Sequence, residues 1–207
     1  KDDMATLQFD FGKMSIPTKE DILAQVGKAN TIIYVGGISP RLEGEEMKVN
    51  VEGFKGGDRT SIELPKAQRD MIAMLKEAGK KVIFINCSGS AIAMEPETRN
   101  CEAIMQAWYG GERGGEAVAD ILFGDYNPSG KLPITFYKND SQLPDFEDYK
   151  MAGRTYRYFN GEPLFKFGHG LSYTTFEFSK PKYDNKSGKV SVTVKNAGKM
   201  DGEEVVH

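Results

Sequence analysis

The chain has 207 residues, a formal net charge of −3, 39% hydrophobic and 28% charged residues, the balance of an ordinary globular protein. No apolar run approaches the ~18 residues of a membrane span, no basic-then-apolar opening resembles a secretion signal, and the mildly acidic balance gives no general attraction to phosphate backbones. Neither a membrane nor nucleic acid is therefore expected as the main partner.

Residues 1–17 open with an alternation, Leu7, Phe9 and Phe11 against Gln8 and Asp10, the period-2 signature of a half-buried strand. With no hairpin partner in view, it is expected to close a preceding β-structure, with residues 1–17 as residual strand and linker. A helix follows Thr18 or Lys19, with Glu20 and Asp21 in its first turn and Ile22, Leu23 and Val26 as its apolar face. Thr31-Ile32-Ile33-Tyr34-Val35, ending at Gly36-Gly37, reads as a strand buried on both faces.

The same wiring recurs. A helix over residues 68–78 carries Met71, Ile72, Met74 and Leu75 and stops at Gly79, and the buried strand Lys81-Val82-Ile83-Phe84-Ile85-Asn86 follows. A third unit runs from Ala103 to Tyr109 into a helix from about Gly115 to Phe123, with Ala117, Val118, Ile121 and Leu122 inward. Leu132-Pro133-Ile134-Thr135-Phe136 reads as an edge strand because of its proline. Strands alternating with helices predict a mostly parallel sheet flanked by helices, a flavodoxin-like α/β sandwich whose ligands meet the carboxyl ends of its strands. From Phe176 the chain alternates again, through residues 189–195, with Asn196-Ala197-Gly198 as a turn and a further strand from Glu203 to Val206. Two or three strands cannot close a sandwich of roughly seven, so this short β segment is expected to be truncated.

Cys87 and Cys101 lack metal-ligand spacing and read as buried free thiols. The Gly110–Gly115 stretch lacks the lysine and hydroxyl of a phosphate loop and suits close backbone packing at a helix start. His169 has no second histidine nearer in sequence than His207, so a metal site or histidine relay is hard to build. Neither cofactor nor metal is expected.

The loop after the first buried strand carries Glu43, Glu45 and Glu46 and continues to Gly56-Gly57-Asp58-Arg59. Clustered carboxylates raise the proton affinity of at least one of them, and a carboxyl kept protonated near neutral pH can serve as a general acid. Composition alone favours a solvated acidic loop instead. Being glycine-rich and poor in apolar residues, the loop is expected to be mobile from Pro40 to Gly57 without a partner domain.

Glu43-Gly44-Glu45, Gly56-Gly57-Asp58-Arg59, Trp108-Tyr109-Gly110-Gly111, Phe123-Gly124-Asp125-Tyr126-Asn127-Pro128-Ser129-Gly130-Lys131-Leu132-Pro133, Gly153-Arg154-Thr155-Tyr156-Arg157-Tyr158 and Phe167-Gly168-His169-Gly170-Leu171-Ser172-Tyr173 together resemble family 3 glycoside hydrolases, in the right order from about Thr18 onward. The resemblance implies an N-terminal (β/α)8 barrel with an aspartate nucleophile, the α/β sandwich domain at residues 18–150 with its acid/base glutamate, an aromatic connecting segment at 151–175 and the start of a fibronectin type III-like β-sandwich at 176–207. The family's Gly-Glu pair before Asp-Arg maps onto Gly44-Glu45, making Glu45 the expected acid/base residue, with Glu43 as fallback. Asp58 and Arg59 could touch sugar hydroxyls; an ion pair between them that pins the loop is favoured. The aromatic run around Tyr156 to Tyr173, and Trp108, are expected to pack rather than stack on sugars.

The implied parent is a retaining exo-glycosidase acting on terminal non-reducing sugars of plant-wall oligosaccharides or aryl glycosides. A β-xylosidase is favoured, with α-L-arabinofuranosidase or β-glucosidase activity as variants, in the periplasm or secreted. The isolated chain is expected to be inactive. The rival classes are a non-catalytic carbohydrate-binding or scaffold module and a flavodoxin-like nucleotide binder, the second lacking a phosphate loop.

Overall fold

Residues Thr31–Gly37 are β-branched or aromatic up to two closing glycines, and both edges of such a strand need hydrogen-bonding neighbours. The computed structural model describes residues 5–7, 18–44 and 46–206. In chain order the elements are β1 (Ala5–Leu7), α1 (Lys19–Val26), β2 (Thr31–Gly37), β3 (Phe54–Lys55), β4 (Asp58–Arg59), α2 (Lys66–Glu77), β5 (Lys81–Cys87), α3 (Glu95–Asn100), β6 (Ala103–Gln106) and α4 (Gly114–Phe123). After a 3-10 turn at Asp140–Gln142 come α5 (Thr155–Tyr158), β7 (Phe176–Phe178), β8 (Lys182–Asp184), β9 (Lys189–Ser191) and β10 (Val194–Asn196).

The main sheet has the order β1-β2-β5-β6, with every pair parallel, as the alternating pattern predicts for an α/β sandwich. Its first strand corrects an expectation. Ala5–Leu7 pairs with Ile32, Ile33 and Tyr34 of β2, so these three residues extend the α/β sheet rather than close a separate β-structure. β1 thereby takes up the edge of β2 that β5 leaves free and pairs its N–H and C=O groups. The expected continuation through Phe9 and Phe11 lies outside the described residues.

Register puts Ile32 beside Val82 and Tyr34 beside Phe84, and these four side chains are buried on one sheet face with Ile22, Val26, Ile72 and Leu75 of α1 and α2. Each such side chain contributes about 1.5–3 kcal/mol when withdrawn from water. Thr18 starts α1 with a complete capping box, its hydroxyl accepting from Asp21 N–H while the Asp21 carboxylate accepts from Thr18 N–H. The opposite sheet face is less covered than the apolar runs predict: Ile85 is buried, yet Val35 is 53% exposed. Helix α4 has no buried residue, and Phe123 at its end is 62% exposed, so the inward face expected for Ala117, Val118, Ile121 and Leu122 is not packed to burial. Its start is as expected, since a Cβ on Gly110 would stand 3.0 Å from Gly114 Cα. Short α3 carries no periodic signal in the sequence, because Glu-Pro-Glu-Thr-Arg-Asn has no apolar period.

Residues 132–136 do not form the expected edge strand of this sheet. Leu132 and Phe136 instead exchange backbone hydrogen bonds with residues 165–169, and Pro133 has no N–H to continue a ladder. Phe136, fully buried, meets Trp108 edge-on at 6.1 Å and Phe165 at 6.3 Å, and Phe165 stacks on His169 at 4.9 Å. This column packs Phe165 onto the α/β core, while Tyr156, Tyr158 and Tyr173 stay exposed, so the packing expected of the aromatic run holds only in part. Burial, and secondarily Lys131, hold the His169 imidazole below its ordinary 6.5. Below pH 6.5 the unfolded chain takes up a proton that the folded chain resists, so the neutral ring's contribution to stability, complete above 6.5, declines as pH falls through the folded value. We therefore expect the loss of Tm on acidification from pH ~7.5 to ~5.5 to be smaller for His169→Gln than for the parent chain in thermal melts.

Toward the C-terminus, the run at 189–195 divides between two strands. β9 pairs with β8, β10 pairs antiparallel with β7, and residues 203–206 are not a strand. The buried Asn127 carboxamide accepts from Tyr173 N–H at 2.7 Å and Ser172 Oγ at 3.1 Å, while Ser129 Oγ accepts from Glu203 N–H at 3.0 Å. Lys131 pairs with Glu204 at 3.3 Å, the two side chains only 10% and 14% exposed. Cys87 and Cys101 are free and half-buried, burial pushing the Cys101 thiol up to about 12.

Candidate active site

Where β2 ends, the sequence supplies two glycines, and the reason is steric. A Cβ on Gly36 would stand 2.5 Å from Gln68 Oε1, and one on Gly37, whose φ is +118°, would stand 2.0 Å from the Cys87 carbonyl oxygen. The close approach lets the buried Gln68 of α2 bracket Gly37, accepting from its N–H at 2.7 Å and donating to its C=O at 2.6 Å. Ile38 N–H then bonds Cys87 C=O at 2.8 Å, and Tyr109 Oη donates to Ile38 C=O at 2.5 Å. The root of the acidic loop is thus fixed at the carboxyl edge of the sheet, where an open α/β fold meets its ligands.

From that root residues 38–60 form a closed excursion. Glu43 N–H and Leu42 N–H bond back to Ser39 C=O, Gly44 N–H meets Gly57 C=O at 3.2 Å, and Met47 N–H meets Gly56 C=O at 2.8 Å. The hairpin of β3 and β4 completes it, pairing Phe54 with Arg59 and Lys55 with Asp58. Leu42 and Phe54 pack against the main core. These ties supply shape from within the chain, which the loop's composition did not suggest. Gly57 (φ +94°) is the closure point: a Cβ there would stand 1.8 Å from Gly44 O. Gly57→Ala is expected to cost about 1–3 kcal/mol from φ alone plus the clash. Gly79→Ala, with φ +77° and open space around its Cβ, serves as the control in denaturant unfolding, and equal losses would refute the closure.

Glu45 lies outside the described residues. Glu43 is half-buried, its Oε1 accepting from Ser90 Oγ at 3.2 Å, and Glu46 is exposed with φ 53°. The expected Asp58–Arg59 ion pair is not formed. Successive strand residues face opposite ways, leaving Asp58 exposed while Arg59 turns inward. Arg59 does pin the loop, by donating to Ser61 C=O at 3.1 Å, Ser90 Oγ at 2.9 Å and Ala91 C=O at 3.1 Å. Burial lowers its pKa from the ordinary guanidinium value, opposed by the Glu43 and Asp140 carboxylates. Asp140 anchors the exit of the hairpin, accepting from Ser61 Oγ at 2.7 Å and Ile62 N–H at 2.8 Å.

Sequence reasoning missed Gln68, Ser90, Tyr109 and Asp140. Gln68 was legible as a polar residue on an apolar helix face, and Ser90 as part of a Ser-Gly-Ser turn directly after a buried strand. Tyr109 lies against Gly89, where a Cβ would stand 2.9 Å from its ring. Its phenol pKa is raised by burial first and by Glu43 second. Together these residues make a carboxylate-bearing loop held out from the sheet edge on hydrogen bonds.

Residues 15–173 match the glycosyl hydrolase family 3 C-terminal domain. The chain belongs to glycosyl hydrolase family 3. A xylan 1,4-β-xylosidase of Xylanibacter ruminicola is 57% identical over 206 residues, covering 98% of this family 3 chain and 24% of that protein. A periplasmic β-glucosidase of Salmonella typhimurium is 42% identical over 171 residues, covering 73% of this chain and 22% of that one. Among solved structures, β-glucosidase 3B from Thermotoga neapolitana in complex with glucose superposes with a TM-score of 0.70 at 30% identity, over 88% of this chain and 27% of that one. The chain thus spans about a quarter of the length of these family 3 relatives.

Proposed function

We propose that this chain is the acid/base half of a retaining exo-glycosidase, a β-xylosidase that removes terminal non-reducing sugars from plant-wall oligosaccharides. Retaining hydrolysis needs two carboxyl groups roughly 5–5.5 Å apart, one attacking the anomeric carbon and one protonating the departing oxygen. The observation that carries the reading is the loop at residues 38–60, rooted at the carboxyl edge of the sheet by Gln68 and Tyr109 and carrying the Gly44-Glu45 pair. Glu45 is the proposed acid and base, with Glu43 the alternative. Asp58, exposed on the same loop, is available to a sugar hydroxyl, whereas Arg59 is already engaged with its own domain. The nucleophilic aspartate belongs to a (β/α)8 barrel of the parent protein, and β7 to β10 to a fibronectin type III-like domain.

The 57% identity to a xylan 1,4-β-xylosidase supports xylose as the sugar released, and the relative named as periplasmic supports a location outside the cytoplasm. Turnover by the full-length protein of xylobiose and of the nitrophenyl glycosides of β-xylose, α-L-arabinose and β-glucose decides the sugar. Glu45→Gln in the same protein decides the role. A leaving-group-dependent loss supports it, and an unchanged profile removes Glu45 from the mechanism and favours a non-catalytic carbohydrate-binding module. Because one carboxyl of the pair is elsewhere, the isolated chain is expected to hydrolyse nothing. A glycosyl adduct on it, seen by intact-mass spectrometry after incubation with a 2-fluoro-xyloside, would overturn that.

A further inference from the structure

Behind the acidic loop stands a column of polar groups that neither packing nor proton donation accounts for. Asn86, at the end of β5, and Ser88 are both fully buried. Asn86 Nδ2 donates to Gln106 Oε1 of β6 at 2.5 Å and to Ser88 Oγ at 3.2 Å, and Gln106 Nε2 donates to the same hydroxyl at 3.1 Å. Ser88 Oγ therefore directs its single proton onward, to the Ser90 carbonyl at 2.8 Å. Ser90 in turn faces the loop. Its hydroxyl accepts from Arg59 Nη1 at 2.9 Å and donates to Glu43 Oε1 at 3.2 Å. Arg59 adds a second bond to the neighbouring Ala91 carbonyl. The Ser88 and Ser90 hydroxyl protons thus each have one acceptor, although Asn86 Oδ1 and Arg59 Nη2 are buried without a partner, and the last member of the chain is a carboxylate of the loop.

We infer that Ser90 and Glu43 are positioning residues, a hydroxyl and a carboxylate that lock the acidic loop to the sheet, and that Glu43 is an anchor rather than the proton donor. The inference rests on the preceding reading that this loop carries the acid. A donor must present its carboxyl to the departing oxygen, whereas Glu43 directs an oxygen inward to Ser90, beside the Arg59 guanidinium. The anchor sits two residues before Glu45, so any slack in it passes directly to the proposed acid.

The test uses the full-length enzyme with xylobiose, whose leaving group needs a proton, and 2,4-dinitrophenyl β-xyloside, whose leaving group does not. Ser90→Ala is expected to lower kcat on xylobiose by about 10–10²-fold and on the activated substrate by less than about threefold, with KM nearly unchanged, the signature of a misplaced acid. Ser90→Thr keeps the hydroxyl and restores most of the loss. In a Glu45→Gln background Ser90→Ala has no further effect on xylobiose. The basic limb of the kcat/KM profile, where the acid loses its proton, survives in Glu43→Gln and disappears in Glu45→Gln. An equal fall on both substrates in Ser90→Ala means a general folding defect and overturns the inference alone. Loss of the basic limb in Glu43→Gln makes Glu43 the donor, which also overturns the inference and leaves the proposed function standing. If neither glutamine variant distinguishes the substrates, the proposed function fails and the inference falls with it.

Discussion

Replacing Glu45 by glutamine in the full-length protein is expected to lower kcat on xylobiose by about 10²–10⁴-fold, the range that positioned proton transfer contributes. Glutamine keeps the shape and one acceptor but carries no transferable proton, so the departing alkoxide must leave unaided. An aryl leaving group of low pKa needs little help, and glycosylation from a dinitrophenyl xyloside should be spared. Deglycosylation then becomes limiting, because the same residue must activate water in the second step. Two results follow that simple misfolding cannot imitate: KM for the activated substrate falls as the intermediate accumulates, and added azide, a nucleophile needing no base, restores turnover as a glycosyl azide. Unchanged turnover on xylobiose, or no azide rescue, refutes the assignment.

The largest stability effect is expected at Arg69, on α2. Its guanidinium lies among Glu63, the fully buried Glu97, whose Oε1 accepts from Nε at 3.0 Å, and the Ala93 carbonyl at 3.1 Å. Glu97 Oε2 has no hydrogen-bond partner, so Arg69 is the charge that makes this buried carboxylate tolerable. Arg69→Met leaves Glu97 dry and uncompensated, at an expected cost of about 3–5 kcal/mol in denaturant unfolding. Adding Glu97→Met to that variant should recover much of the loss, because an apolar pair of similar volume removes the desolvation cost as well. Lys66→Met is the contrast: its pair with Asp70 is exposed on both sides and is worth about 0–1 kcal/mol. A loss below about 1 kcal/mol for Arg69→Met would show that Glu97 is not held by charge.

The parallel sheet was legible because β2 and β5 announce themselves as apolar runs closed by small residues, and the helices as periodic faces with their stops. What escaped has a common cause, namely that it depends on partners far apart in sequence. Gln68 brackets Gly37 from 31 residues away, Ser90 reaches Glu43 across 47, and Asp140 holds Ile62 across 78. Local pattern carries no trace of such pairings. For residues 132–136 the local sequence suggests an extended segment without naming its neighbour, here residues 165–169 rather than the main sheet. The acidic loop was singled out by its place after the first buried strand and its clustered carboxylates, and the family resemblance outweighed a composition that alone favoured a solvated surface. The Asp58–Arg59 reading failed on strand geometry, which separates consecutive side chains.

The Lys131–Glu204 pair bears on how this domain can be trimmed. The family match ends at residue 173, a natural place to cut, yet Glu204 lies thirty-one residues beyond it and neutralises an ammonium that is 10% exposed. Cutting there would strand that cation beside the aromatic column and release the strap that Glu203 fastens to Ser129. A shortened version designed on the family boundary would inherit a defect absent from the longer one, and the C-terminal strap is best regarded as part of the domain it crosses.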